Sequence, residues 1–243
     1  MKSLKLAFAF MTVLPVRLKE ELSPGDLGKA SGWYPLVGVL IGGLVWLAKY
    51  SLQQIFPLLL TAVLCVTLWV FLSGGLHLDG LADCFDGMVN SSSPERRLEI
   101  MKDPRLGSFG GLGLLLALLI KVAAVYSLAP GRDWVAILSA AALGRWMILL
   151  AGKQPLARPG GMGADFALGL KTASFAWAAI LPLALVILGG WQGLLAAALA
   201  HLAALGIFRL ARSRLGGVTG DVYGLTVEIT ELVVLLTFAV QIK

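Results

Sequence analysis

Two cysteines and two histidines are all this chain offers to a soft metal or a disulfide. Cys65 lies in an apolar run and Cys84 among carboxylates, neither in a spacing that closes a zinc site. A zinc centre and a disulfide framework are therefore both excluded. Charge is scarce as well: 14% of residues, against about 25% in a soluble domain, with only 14 acids in 243 residues. Repeats, low-complexity tracts and polar linkers are lacking, so a single domain over 1–243 is expected. A cleavable leader is not expected either. Met1-Lys2-Ser3-Leu4-Lys5 runs into apolar residues up to Leu14 without a small-x-small site, and Pro15-Val16-Arg17 follows. That segment is expected to be an amphipathic or re-entrant entry helix, too short to span a bilayer.

What the chain does have is hydrocarbon. Apolar residues make up 58% of it and the mean hydropathy is +0.86. Seven stretches, at about 33–50, 55–76, 109–129, 133–151, 173–190, 192–208 and 225–241, are long enough or nearly so to cross ~30 Å of lipid. The expected fold is an all-α, multi-pass bundle. Gly38-x-x-x-Gly42 in the first stretch would let another helix approach closely, and Gly189-Gly190-Trp191-Gln192-Gly193 is a tight turn.

A pI near 9.5 could point to nucleic acid, but the basic residues are scattered through short loops and form no stripe. Positive-inside bias explains them better. Fifteen of the 20 Lys and Arg fall on one side, only Lys49, Arg132 and Lys243 on the other, and Lys121 and Arg145 inside spans. The richer side, which includes Lys19, is expected to be cytoplasmic. That puts the amino terminus inside a bacterial inner membrane and the unusual loops toward soluble nucleotides.

The most unusual stretch is Gly74-Gly75-Leu76-His77-Leu78-Asp79-Gly80-Leu81-Ala82-Asp83-Cys84-Phe85-Asp86-Gly87. On a helix, Asp79, Asp83 and Asp86 share a ~60° arc. Three like charges on one face need a cation between them, and Mg²⁺ prefers oxygen ligands and bridges phosphates. His77 would point ~160° away from Asp79 and is set aside. Ser92 or Ser93 should cap a short helix that has Pro94 first and ends near Lys102. The stretch from Lys102 to Gly111, with Arg105, offers cations and glycine-freed N–H groups that suit a phosphate. Arg158, between Pro155 and Pro159, suits a fixed turn presenting one cation.

A second acidic cluster begins at Gly216-Gly217-Val218-Thr219-Gly220-Asp221 and runs into the last span. On a helix Gly217, Asp221, Gly224, Glu228 and Glu231 share a ~80° stripe. Glu228 and Glu231 lie below the membrane surface, where charge is costly and usually functional. Their alternative role is to neutralise Arg145 and Lys121, which need partners of their own. His201 is expected to be a satisfied core residue. Two acidic faces on one side invite one site holding two metal ions, as in in-line phosphoryl displacement.

The run 74–87 resembles the signature of cobalamin synthase, the adenosylcobinamide-GDP ribazoletransferase family. So do Met101-Lys102-Asp103-Pro104-Arg105-Leu106-Gly107-Ser108-Phe109-Gly110, Gly216 to Asp221 with Gly224, Arg145-Trp146, Ala157-Arg158-Pro159-Gly160-Gly161-Met162-Gly163, and Leu14-Pro15-Val16. The chain departs from the pattern at Leu225 and at Lys153-Gln154, away from the acids.

The resemblance implies an Mg²⁺-dependent transferase that joins adenosylcobinamide-GDP to α-ribazole or its 5′-phosphate and releases GMP. This is the last assembly step of the cobalamin nucleotide loop. Asp79, Asp83, Asp86, Asp221 and Glu228 are then the expected metal ligands. Asp83 and Asp86 would be catalytic, and Glu228 or Glu231 would accept the attacking hydroxyl's proton. Lys102, Arg105, Arg145 and Arg158, with Gly220, would contact substrate. The bilayer is an expected partner and nucleic acid is not, while a homo-oligomer or an association with other cobalamin-pathway enzymes stays open. Asp83-x-x-Asp86-Gly87 is also similar to the opening motif of the CDP-alcohol phosphotransferases, although Val89-Asn90 follow and the next acids are distant. A proton-coupled secondary transporter is the alternative from another class.

Overall fold

The computed structural model describes residues 2–18, 21–89 and 91–240, so Lys19 and Lys243 lie outside the described residues. Among the described residues, twelve α-helices follow in chain order. The first three are α1 (Lys2–Met11), α2 (Asp26–Ala30) and α3 (Tyr34–Leu52), with a single 3-10 turn at Ser31–Trp33 before α3. Next come α4 (Leu58–Ser73), α5 (Leu76–Val89), α6 (Pro94–Ile100) and α7 (Ser108–Ser127). The rest are α8 (Asp133–Ala151), α9 (Gly161–Gly169), α10 (Thr172–Leu188), α11 (Gly190–Leu215) and α12 (Gly220–Ala239). Among the described residues there is no strand, only one isolated parallel bridge between Leu156 and Val218.

Five helical segments are long and apolar enough to cross a membrane, and seven if each of two bent pairs counts as one span. The protein is a multi-pass helical bundle. α8 and α12 form its centre, with 78% of each candidate span buried. α3 reaches α8 through Gly38, where a Cβ would lie 2.4 Å from the Ala141 carbonyl oxygen, and Gly42, where it would lie 3.0 Å from the Leu138 Cα. The small-residue spacing thus does what its sequence suggests. Large side chains left on the outside, such as Leu115 and Leu119 of α7 and Leu183 and Ile187 of α10, are exposed. They form the face a lipid environment would cover.

Two boundaries differ from the sequence expectation. The second span ends at Ser73 because Gly74 and Gly75 both take positive φ, 64° and 68°, which only glycine adopts without strain. The chain turns there by 92°, and the acidic motif continues as a separate helix, α5. The sixth span runs on to Leu215, so Arg209, Arg212 and Arg214 extend the helix rather than occupying a loop. α1 is the short entry helix expected, tied by Lys2 to Asp26 at 2.9 Å. At the end of the bundle remote from α5, Lys49 and Asp133 form a buried pair at 2.6 Å that joins α3 to α8.

Candidate active site

Backbone packing, more than side-chain reach, assembles the acidic face. α5 lies across the first turns of α7 and α12. It meets α12 at Gly80, where a Cβ would sit 2.7 Å from the Asp221 carbonyl oxygen, and at Gly224, where it would sit 2.9 Å from that of His77. No larger residue fits either place, so the two glycines set how closely Asp79 and Asp221 approach. At the far end of α5, the Asp86 carboxylate accepts from the Gly107 and Gly110 amides, 2.8 Å each. It thereby satisfies orphan donors at the start of α7 and lies at the positive end of its dipole. The amides proposed for a phosphate are thus already engaged.

Asp221 opens α12 after Thr219, whose hydroxyl caps Val222 N–H at 3.4 Å and donates to Asp221 at 3.1 Å. Loop 155–158 is laid beside it by two backbone bonds, Ala157 N–H to the Val218 carbonyl (2.9 Å) and Val218 N–H to that of Pro155 (2.8 Å). This docking delivers Arg158, which sits 3.6 Å from Asp221 and donates to the Leu98 carbonyl of α6 at 3.4 Å. Gly217 is what permits it, because a Cβ there would come within 2.5 Å of the Leu156 carbonyl carbon. Gly217→Ala should displace the loop and Arg158, lowering turnover by about tenfold or more. Its melting temperature should fall by only a few degrees, checked by a thermal melt beside the rate.

Asp79 is exposed and Asp83 half-buried. Among the described residues neither carboxylate has a hydrogen-bond or ion-pair partner. Burial, then the negative charges of Asp221, Asp79 and Asp86, push the Asp83 carboxyl up to about 7, with Arg158 opposing them. Uncompensated oxygen donors of this kind suit a hard divalent cation. Among the described residues no three acidic, histidine or cysteine side chains converge enough to hold a metal ion by themselves. The donor set therefore fits an ion that keeps waters and takes phosphate oxygens from its substrate, as Mg²⁺ does. Asp79 and Asp83 are free to contribute, and Asp221 could add the oxygen that does not accept from Thr219.

Glu228 and Glu231 are not brought to this face. They lie inside the bundle, 4% and 0% exposed, where Lys121 Nζ donates to both at 2.6 Å and Arg145 pairs with Glu231. Arg145, fully buried, neither snorkels nor reaches the acidic face. The four charges pair with one another, although Arg145 bonds only through Nη1 and its Nε and Nη2 are buried without a partner, and Lys121 is also 5.3 Å from the Trp69 ring. The neutralising role raised for these acids from sequence is thus the one their contacts describe.

Of the loop cations, Lys102 is exposed, and Arg105 makes a two-point pair with Asp103, donating at 2.9 and 2.6 Å. Beside them lies a cleft of about 420 Å³, lined by Asp86, Gly107, Ser108 and the ion pairs Arg96–Glu99 and Arg105–Asp103. Ser93 caps α6 as expected, accepting from Arg96 N–H at 3.4 Å. Gly220 is exposed at the root of α12.

His201 is hydrogen-bonded, 2.8 Å from the Ala197 carbonyl, but only half-buried. His77 is the surprise. It is 3% exposed, neither ring nitrogen has a partner, and it lines a cavity that Asp79 and Asp221 also line. Burial, then the charges of Arg145 and Lys121, hold its imidazole well below the usual range, so the ring is neutral. Helical phase from Asp79 pointed His77 away from the site; the missed signal was α12 packing on that second face of α5.

A carboxylate face folded against the helices of a multi-pass bundle defines the class, a polytopic helical membrane protein with a polar site. The chain belongs to the cobalamin-5-phosphate synthase family, whose model matches residues 3–239. It is 42% identical over 237 residues to the adenosylcobinamide-GDP ribazoletransferase of Pseudomonas putida strain W619, covering 96% of this chain and 97% of that one. Proteins of the same name from Pseudomonas aeruginosa strain UCBPP-PA14 (44% over 254 residues) and Ectopseudomonas mendocina strain ymp (40% over 240 residues) are similar over 98% of each chain. The protein is accordingly a transferase. No solved structure matches it.

Proposed function

We propose that the protein joins adenosylcobinamide-GDP to α-ribazole or its 5′-phosphate and releases GMP at the cytoplasmic face of a bacterial inner membrane. One observation carries the proposal beyond the family relationship. The acidic stripe of α5 runs between two spaces, with Asp86 on the cleft lined by the Arg96–Glu99 and Arg105–Asp103 pairs and Asp79 on the cavity shared with Asp221. A transfer between two substrates needs such an arrangement, with a donor on one side and an acceptor on the other.

The guanosine diphosphate group is assigned to the cleft, where its phosphates would compete with Glu99 and Asp103 for Arg96 and Arg105, with Lys102 exposed nearby in the chain. A ribose hydroxyl of the acceptor attacks the phosphorus next to cobinamide. A new P–O bond forms, the bond between the two phosphates breaks, and GMP leaves. Asp79, Asp83 and Asp221 would hold Mg²⁺, which when bound neutralises pyrophosphate and leaving-group charge. Asp86 holds α5 in place through the start of α7. Glu228 and Glu231 are paired with Lys121 and Arg145 inside the bundle, and in this reading neither accepts the proton. The carboxylates open to a substrate hydroxyl are Asp79 and Asp83.

The test is GMP release by the full chain in detergent or vesicles. Release should need both substrates, stop on chelation and return with Mg²⁺. Because binding an ion must displace a proton from Asp83, apparent Mg²⁺ affinity should fall about tenfold per pH unit below 7 and level off above it. GMP release without acceptor, or release indifferent to chelation, would overturn the proposal.

A further inference from the structure

We infer that the cavity at the root of α12 is the seat of the acceptor's aromatic base, with His77 as its hydrogen-bonding anchor. The inference rests on the proposed reaction and adds where the acceptor sits and what recognises it. The cavity measures about 100 Å³, where a single water needs roughly 10–15 Å³, so one flat bicyclic ring can replace several waters. Its walls are Phe10 and Met11 of α1, Phe166 of α9 and Tyr223 of α12. The Phe166 and Tyr223 rings meet edge to face, 5.6 Å apart. Such walls suit an aromatic face.

Beside these walls the polar side chains are few, chiefly His77, Asp79 and Asp221. A benzimidazole-type base has one free ring nitrogen. His77 is buried with neither ring nitrogen partnered, and its ring lines the same cavity. A base held here places its ribose toward Asp79 and Asp221, which line the same cavity and belong to the acidic face.

His77→Phe tests the anchor cleanly. It keeps a flat ring and removes two buried nitrogens that have no protein partner, so the fold should be as stable or slightly more so. The expected result is a KM for α-ribazole raised about tenfold, with the KM for adenosylcobinamide-GDP within twofold of the parent. Phe10→Ala, on a half-exposed wall, should act in the same direction. In parallel, calorimetric titration of α-ribazole alone into the full chain, without donor, should show binding that His77→Phe weakens to the same degree. A rise in donor KM instead, or no change in acceptor KM and acceptor binding, would overturn the inference while leaving the reaction standing. Parent protein that binds α-ribazole but releases no GMP would overturn the reaction and leave the subsite standing.

Discussion

Asp83→Asn should reduce GMP release by about a thousandfold while leaving the melting temperature within about a degree of the parent. Asparagine matches aspartate in shape, and the Asp83 carboxylate has no protein partner to lose. What disappears is a negative oxygen donor among Asp79, Asp86 and Asp221, the groups whose charges raise its pKa. Removing one electrostatic contributor at a phosphoryl-transfer centre costs about 10²–10³ in rate, and losing an ion with it adds to that. Asp86→Asn is the informative contrast. Its two oxygens accept from Gly107 and Gly110, and asparagine keeps only one acceptor for two amides. This variant should lose both rate and stability, the latter by about 1–3 kcal/mol. Turnover and thermal melts on both variants check the distinction. If Asp83→Asn kept full activity at saturating Mg²⁺, the acidic face would not be the reacting centre.

The second large effect is on folding. Lys121→Met should destabilise the bundle by about 3–5 kcal/mol, because it strands Glu228 and Glu231 as buried like charges beside Arg145 alone. The triple replacement Lys121→Met, Glu228→Gln, Glu231→Gln removes the stranded anions and should recover part of that loss, though Arg145 then lacks its partner. Denaturation in detergent measures both. If Lys121→Met had the parent's stability but no activity, these charges would belong to catalysis and not to the bundle.

Much of this arrangement was visible in the chain before its structure. Apolar run length announces a helical bundle, and the Gly38-x-x-x-Gly42 spacing and the Ser93–Pro94 cap locate real contacts, because each depends on local geometry. Asp79, Asp83 and Asp86 share a helix face for the same reason. Legibility ended where a residue's role depends on what another helix brings to it. Glu228 and Asp221 share a helical stripe, but about two turns along α12 separate the bundle interior from its surface. Periodicity carries angle and no depth. Asp86 shares its arc with Asp83, yet the start of α7 claims it. His77 and the aromatic walls of its cavity come from four helices, and no single stretch of sequence carries that meeting.

The short helices have a consequence for the lipid. At 1.5 Å per residue, the 16 residues of α4 and the 17 of α10 rise about 24 and 26 Å, short of the ~30 Å hydrocarbon core. The membrane beside them must thin, or their ends must sink below the headgroups. One of those ends is the Gly74–Gly75 turn that launches α5. The acidic face therefore sits at a depth that the acyl chains help to set, where a bulky amphiphile can reach it from a dimple in the leaflet. Hydrophobic mismatch, a property of the solvent as much as of the chain, becomes part of how the site is presented.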